Sequence, residues 1–437
     1  MRLLAAKGNH HDDASQHAAD SSRVRGALPW LPMACAAIVL AIAGPVAPAS
    51  DFGAEVVGCV PAPGQFVNNP SFNDPAAVLG PPTGGGTVTP DNSSLLSLGG
   101  FGGSVVIRFG QPVLDDPANY LGLDFIVFGN AAWVSNDRQR RWAEPATVEI
   151  MPDIDSNGLP GTAPGEIWYL LPGSLTSNGA IPRSQIWDDV PDATYPPALV
   201  SWFPNLGVFP YVPGGPCAIP IDGFGRYTTQ AFEVPVDIYA DPSGQGGTLG
   251  VVPNPNLFDA DPTNDGWEGV WGYAEMSPTL RLGDLDGDNL IDDAGIPADM
   301  FYTVPDNPGR VGVTPGSGGG DAFDIAAAID PVTGMPAGLT SFDFVRISTG
   351  VDLVLGPLGE VSPEIDAVAD ARPVPCPGDV NGDATVDLRD LLALRNRLDV
   401  EDPDSDFSIP GDLRQDGMHD LADLVRLRVE RLGVSCD

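Results

Sequence analysis

Val105-Val106-Ile107-Arg108-Phe109, Leu123-Asp124-Phe125-Ile126-Val127-Phe128, Ala146-Thr147-Val148-Glu149-Ile150 and Phe342-Asp343-Phe344-Val345-Arg346-Ile347 each alternate or run apolar over the length of a strand. Turn signals separate them, and no stretch before Arg372 sustains a helical period. Many short strands between Gly/Pro turns have few other ways to bury both faces of a sheet. The spacing therefore predicts an all-β domain over residues 50–372, a jelly-roll-like β-sandwich with long acidic loops.

The pattern breaks at Arg372-Pro373-Val374-Pro375, where two prolines stiffen a short linker. Beyond it, residues 373–437 read as a small α module built from two loop–helix repeats. Leu391, Leu392, Leu394 and Leu398 form one apolar helical face, and Leu421, Leu424, Val425, Leu427 and Leu432 form another. Each helix follows an acidic loop. The first runs from Asp379 through Asn381, Asp383, Thr385 and Asp387 to Asp390, with side-chain oxygens at positions 1, 3, 5, 9 and 12 and a backbone carbonyl at 7, a set that can wrap a hard cation. The second starts 33 residues later, with Asp412, Asp416, Met418 (through its carbonyl), Asp420 and Asp423. Arg414 stands at its third position, where a ligand belongs, so this loop either binds weakly or turns the arginine outward and takes water instead. The plain alternative for both loops is an acidic turn capping a helix.

Charge and composition restrict the chemistry. With 21 Lys and Arg against 59 Asp and Glu, the chain carries a formal −38, the wrong field for nucleic acid or anionic lipid and a suitable one for Ca2+. Lys7 is the sole lysine, and His419 is the one histidine beyond His17. Schiff-base lysines, phosphate loops of the Walker type, histidine triads and His-built zinc sites are thereby excluded, and carboxylate chemistry stays open. Residues 1–49 read as a signal peptide: Arg23 and Arg25, an apolar run from Leu28 to Gly44 interrupted by Pro29 and Pro32, then Ala47-Pro48-Ala49 before Ser50. Export and no membrane span after cleavage are the expectation. Cys35 leaves with the leader, and four cysteines remain for disulfides. Cys376 and Cys436 bracket the C-terminal module and are expected to pair, which leaves Cys59 and Cys217 by elimination.

Two Asp-rich loops, each leading into a Leu-rich helix, resemble a type I dockerin from Cys376 to Asp437. The resemblance implies that the residues above are calcium ligands, that the module docks onto a cohesin-like or other surface partner, and that Leu388-Arg389 and Leu421-Ala422 carry recognition. Asp in place of Glu at position 12 is usual in that family, whereas Ala384 stands where Gly normally turns the loop. The flanking cysteines resemble dockerin-like tails of planctomycete surface proteins.

Within the large domain, Asp284, Asp286, Asp288, the Leu290 carbonyl and Asp292 repeat the same ligand spacing with no helix after it. Asp153, Asp155 and Asn157, followed by Glu166, make a shorter version. Asp259, Asp261, Asn264, Asp265 and Glu268 lack regular spacing and read as a solvated turn. Segments including Gly99–Ser104, Asp124–Asn130, Glu144-Pro145, Trp168-Tyr169, Asp321–Ile325 and 356–362 are similar to a bacterial cell-surface protein family, which implies an extracellular β domain without assigned activity. Two functions compete for it. A binder of carbohydrate or surface polymer would use exposed tryptophans, with Trp267 and Trp271 ahead of Trp133, Trp142, Trp168, Trp187 and Trp202. A glycoside hydrolase for polysaccharide breakdown would need two carboxyl groups about 5–10 Å apart, with Glu144, Glu166, Glu268 and Glu275 as the first candidates. No spacing singles out a catalytic pair, so a binding or attachment protein is the favoured expectation.

Overall fold

The structure, a computed structural model, describes residues 50–175 (except 63 and 68), 270–353 (except 293 and 294), 361–398 (except 375 and 382–384) and 409–436 (except 416 and 418), with short pieces between 182 and 268. The predicted leader, Cys217, Asp383, Asp416, Met418 and the cluster from Asp259 to Asp265 lie outside the described residues.

The apolar stretches become antiparallel strands. They are β1 (Gly53–Val60), β2 (Leu96–Ser97), β3 (Ser104–Leu114), β4 (Phe125–Gly129), β5 (Ala132–Val134), β6 (Asp137–Trp142), β7 (Ala146–Met151), β8 (Tyr169–Leu171), β9 (Asp321–Phe323), β10 (Ser341–Thr349) and β11 (Glu364–Asp370). One sheet runs β1-β3-β10-β7-β8 and a second β9-β4-β11-β2, while β5 and β6 join Val251–Pro253 in a third. Two strands from the end of the domain are thus inserted at sheet centres: β10 between β3 and β7, and β11 between β4 and β2.

Register follows burial. Val345 lies opposite Ile107 on one side and Ile150 on the other, and Ile347 lies opposite Val105 and Val148. These side chains join Phe125, Val127, Ile365 and Val368 of the second sheet in one buried cluster. Each fully buried aliphatic side chain there contributes about 1.5–3 kcal/mol. On the outer side of the larger sheet, Arg346 donates from Nε and Nη2 to Glu149 at 2.7 and 2.6 Å and lies over the Trp168 ring at 4.5 Å. The glycine run ahead of β3 has a steric cause. Gly99 sits at φ 75°, and a Cβ there would lie 1.7 Å from the Ala62 carbonyl oxygen, so only glycine permits this approach.

The C-terminal module consists of α1 (Leu388–Arg397) and α2 (Leu421–Arg426), the latter continuing as a wider turn over Leu427–Arg431. Val380, Val386, Leu394 and Leu427 form its core. The apolar faces expected from sequence are split: Leu394 and Leu427 point inward, but Leu392, Leu421 and Val425 are 53, 68 and 53 % exposed. Cys376 and Cys436 are disulfide-bonded, as expected, with Cα atoms 5.2 Å apart. Closing the intervening loop of 60 residues contributes about 4 kcal/mol on chain-entropy grounds. Cys59 is also disulfide-bonded. Among the described residues no helix is long and apolar enough to cross a membrane.

Candidate functional site

The two C-terminal loops are built to one plan. Asp387 and Asp420, at position 9, each cap the following helix, accepting from Arg389 N–H and Ala422 N–H at 2.6 Å. Asp390 and Asp423, at position 12, are fully buried and complete a capping box. Each also reaches back across its loop. Asp390 accepts from Asn381 N–H at 3.1 Å and Asp387 N–H at 2.7 Å, and Asp423 accepts from Arg414 N–H at 2.9 Å and Asp420 N–H at 3.0 Å. The carboxylates that cap the two helices are thus the same ones that close the loops at positions 9 and 12.

The loops differ in charge. In the first, the described ligand positions carry oxygen donors alone, with Asn381 and Thr385 exposed, a donor set that fits calcium. In the second, the Arg414 guanidinium donates to Asp420 Oδ2 at 3.1 Å, setting a positive charge beside the carboxylate at position 9. Asp412, 3 % exposed, accepts from Gly417 N–H at 2.7 Å and from the Tyr120 hydroxyl of the β domain at 3.1 Å. This loop is one donor short of its twin. Leu388 and Leu421, directly after the two capping aspartates, are 69 and 68 % exposed; Arg389 is exposed as well, and Ala422 is half-buried.

The large domain holds two further aspartate clusters at the predicted places. One oxygen from each of Asp284, Asp286 and Asp288 lies within 4.8 Å of the others, and the same is true of Asp153, Asp155 and Glu166. Burial and the charges of Asp288 and Asp286 raise the Asp284 carboxyl to about 6. Asp292 is exposed and stands outside its trio. Glu166, a hydrolase candidate by sequence and the acid that follows the Asp153 cluster, ties its own loop together. It accepts N–H groups of Ile154, Asp155, Thr162 and Ala163 at 2.8–3.3 Å, which hold its carboxyl below the usual range. Asn157 N–H bonds to Asp153 and Asp155.

Glu144 and Glu275, two more candidates, are brought together with Glu364, which sequence reasoning missed. Glu144 N–H donates to Glu275 Oε2, and Glu144 Oε1 accepts from Gln65 Nε2 and, at 3.1 Å, from Ser362 N–H. Glu275 and Glu364 are each 2 % exposed, whereas Glu144 is half-buried. Burial pushes Glu144 up to about 7, and burial plus neighbouring carboxylates raise Glu275 and Glu364 well above the ordinary range. Glu275 also holds a left-handed backbone, φ 59°. Next to them, burial raises Asp321 to about 7 although Met276 N–H donates to it at 2.7 Å, and Arg141 lies fully buried with Nε and Nη2 lacking hydrogen bonds. A Glu at the head of the mostly apolar strand β11 (Glu364–Asp370) is the available signal for Glu364.

Carboxyl groups that keep a proton near neutrality can act as general acids. Among the described residues the cluster is closely packed, with Glu144 as its half-buried member. The adjoining cleft between Trp271, Tyr273, Asp306 and Asp321 holds about 10 Å³, room for roughly one water. Of the tryptophans, Trp133 is buried, Trp142 is 42 % exposed, and Trp168 is covered by Arg346. Trp271 lines the cleft half-buried. The side chains of Glu268, Trp267, Trp187 and Trp202 lie outside the described residues.

Residues 377–430 match the dockerin type I domain, and the C-terminal module is accordingly a dockerin type I domain. No curated protein matches the chain.

Proposed function

We propose that this is a secreted, calcium-dependent attachment protein whose dockerin module docks onto a cohesin-like partner and so fixes the β domain at an extracellular assembly or cell surface. The observation that supports this most directly is the pair of duplicated apolar stripes. Leu388 and Leu392 on one helix, and Leu421 and Val425 on the other, stand one turn apart with 53–69 % exposure. Large apolar side chains repeated at equivalent positions of a small charged module are costly in water and suit a protein partner. Arg389 and Ala422 flank the stripes. Calcium in the first loop would be held by Asp379, Asn381, Asp383, the Thr385 carbonyl, Asp387 and Asp390, fixing the start of α1 and with it the orientation of Leu388. The second loop, with Arg414 paired to Asp420, would hold calcium less tightly.

The β domain is proposed as a jelly-roll-like sandwich that binds carbohydrate or surface polymer. A glycoside hydrolase carrying a dockerin is the second reading, and it rests on the proximity of Glu144, Glu275 and Glu364. The decisive experiment is calorimetry of the chain from Ser50 against a type I cohesin domain, in calcium and in chelator. Binding that needs calcium and disappears in Leu388→Asp/Leu421→Asp supports attachment through these stripes; undiminished binding by the double variant removes them from the interface. Release of reducing sugar from soluble polysaccharides, lost in Glu144→Gln, would favour the second reading.

A further inference from the structure

The loop Asp284–Leu290 sits in the β domain, far in sequence from the dockerin match at 377–430. We propose that Asp284, Asp286 and Asp288 hold a calcium ion there, and that this ion fastens the loop to the segment Gly84–Thr87. The claim is independent of docking.

Three aspartates in a turn are common without an ion, so the weight falls on Asp284. It is fully buried, its Oδ2 accepts from Asn289 N–H at 3.1 Å, and its Oδ1 is buried with no hydrogen-bond partner. A buried carboxylate oxygen without a donor is unfavourable by several kcal/mol, and a cation is the group that relieves it. Neither Asp286 nor Asp288 opposes an ion by its own contacts: each accepts one N–H within the turn, from Asp288 and Leu290 respectively, and remains exposed. No ion pair joins any of the three to a basic side chain among the described residues. Their mutual separation of no more than 4.8 Å suits oxygens bound to one calcium at about 2.3–2.6 Å. The exposed pair gives the ion a way in, and the buried aspartate gives it a floor.

The turn also matches a loop of the dockerin domain. In the second dockerin loop, Gly417 at position 6, φ 77°, donates its N–H to the position-1 carboxylate of Asp412. In the β domain, Asn289 at position 6, φ 69°, donates to Asp284 in the same way. Asparagine replaces glycine there for a second reason, because its side chain reaches another segment. Asn289 Oδ1 accepts from Thr87 N–H at 3.0 Å, and its Nδ2 donates to Thr87 Oγ1 at 3.0 Å. The Thr87 carbonyl in turn accepts from Trp133 N–H on β5 at 2.7 Å. An ion that fixes Asp284 and Asp288 therefore fixes Asn289, and through it the edge of the third sheet.

Bound calcium per chain is measured by equilibrium dialysis for the chain from Ser50, for Asp286→Asn and for Asp284→Asn, with hydrogen exchange at Thr87 and Asn289 as the second readout. The expected result is one calcium fewer in both variants at concentrations that saturate the parent, and calcium-dependent protection of the two amides in the parent alone. Asp286 is exposed and contributes little packing, so its variant decides the matter if Asp284→Asn fails to fold. Equal calcium content in parent and Asp286→Asn, or protection at Thr87 and Asn289 that ignores calcium, overturns the proposal.

Discussion

Stability of the β domain should fall as pH rises from 5 to 8, and Glu364→Gln should flatten that fall. Glu144 is raised to about 7 and Asp321 to about 7, and Glu275 and Glu364 are raised further. In the unfolded chain these groups lose their protons near pH 4. Between pH 4 and 7 the folded state therefore binds more protons than the unfolded state, and the linkage slope is negative. At about 1.4 kcal/mol per pH unit over the roughly two units from pH 5 to about 7, Glu144 and Asp321 each contribute on the order of 3 kcal/mol to the loss. Glu364→Gln replaces one ionisable group with a neutral amide and removes a like charge from Glu144 and Glu275. The assay is urea unfolding followed by tryptophan fluorescence at saturating calcium. Tryptophan is absent after Trp271, so the signal excludes the dockerin domain. Stability that rises from pH 5 to 8, or an unchanged slope in Glu364→Gln, would refute the assignment of buried protons to this cluster.

Chelation should unfold the dockerin helices first: for a micromolar site in 1 mM calcium the ion contributes about 4 kcal/mol, read as loss of far-ultraviolet helical signal before any tryptophan change. Arg414→Asn supplies an oxygen at position 3 and frees Asp420, so calcium affinity at the second loop should rise by about tenfold in calorimetry of the chain from Ser50; no change would detach Arg414 from the ligand set. Gly129→Ala places a Cβ 2.7 Å from Glu275 Cγ and 2.9 Å from the Glu364 carbonyl oxygen, and should lower β-domain stability by about 1–3 kcal/mol in the urea assay.

What could be read from the sequence was whatever depends on local spacing. Asp379 to Asp390 and Asp412 to Asp423 take their shape from contacts within one loop, and the strands containing Ile107, Ile150 and Ile347 declare themselves by alternation. Long-range partnership had no such signal. Residue type alone singles out Glu144 and Glu275, and their meeting with Glu364 depends on β11 entering the second sheet between β4 and β2. For Glu166 residue type and spacing point two ways, to chemistry and to the Asp153 cluster, and the structure shows it beside Asp153 and Asp155 with four amides of its own loop on its two oxygens. Arg414 stands out in its loop by charge, yet its pairing with Asp420 follows from side-chain placement that spacing does not encode.

The contact between the β region and the dockerin module bears on the proposed docking through the exposed stripes. Ile409, just before the second loop, packs with Tyr120, Val304 and Val374 of the β domain and linker, and the Tyr120 hydroxyl donates to Asp412, a ligand position of that loop. Burial and the Asp412 charge push the Tyr120 hydroxyl well up, so it remains a donor at physiological pH. The contact anchors the second loop by its first position and leaves its helix outward, since Leu421 and Val425 remain 68 and 53 % exposed with the β domain in place. Among the described residues both apolar stripes thus stay exposed while the second acidic loop is held by the β region. Tyr120→Phe removes the hydroxyl and keeps the ring packed against Ile409. It should weaken calcium at the second loop by loosening Asp412, while leaving the first loop unchanged. A calorimetric titration in which the first-loop affinity shifts instead would show that the two loops act as one coupled unit and that this separation of roles is wrong.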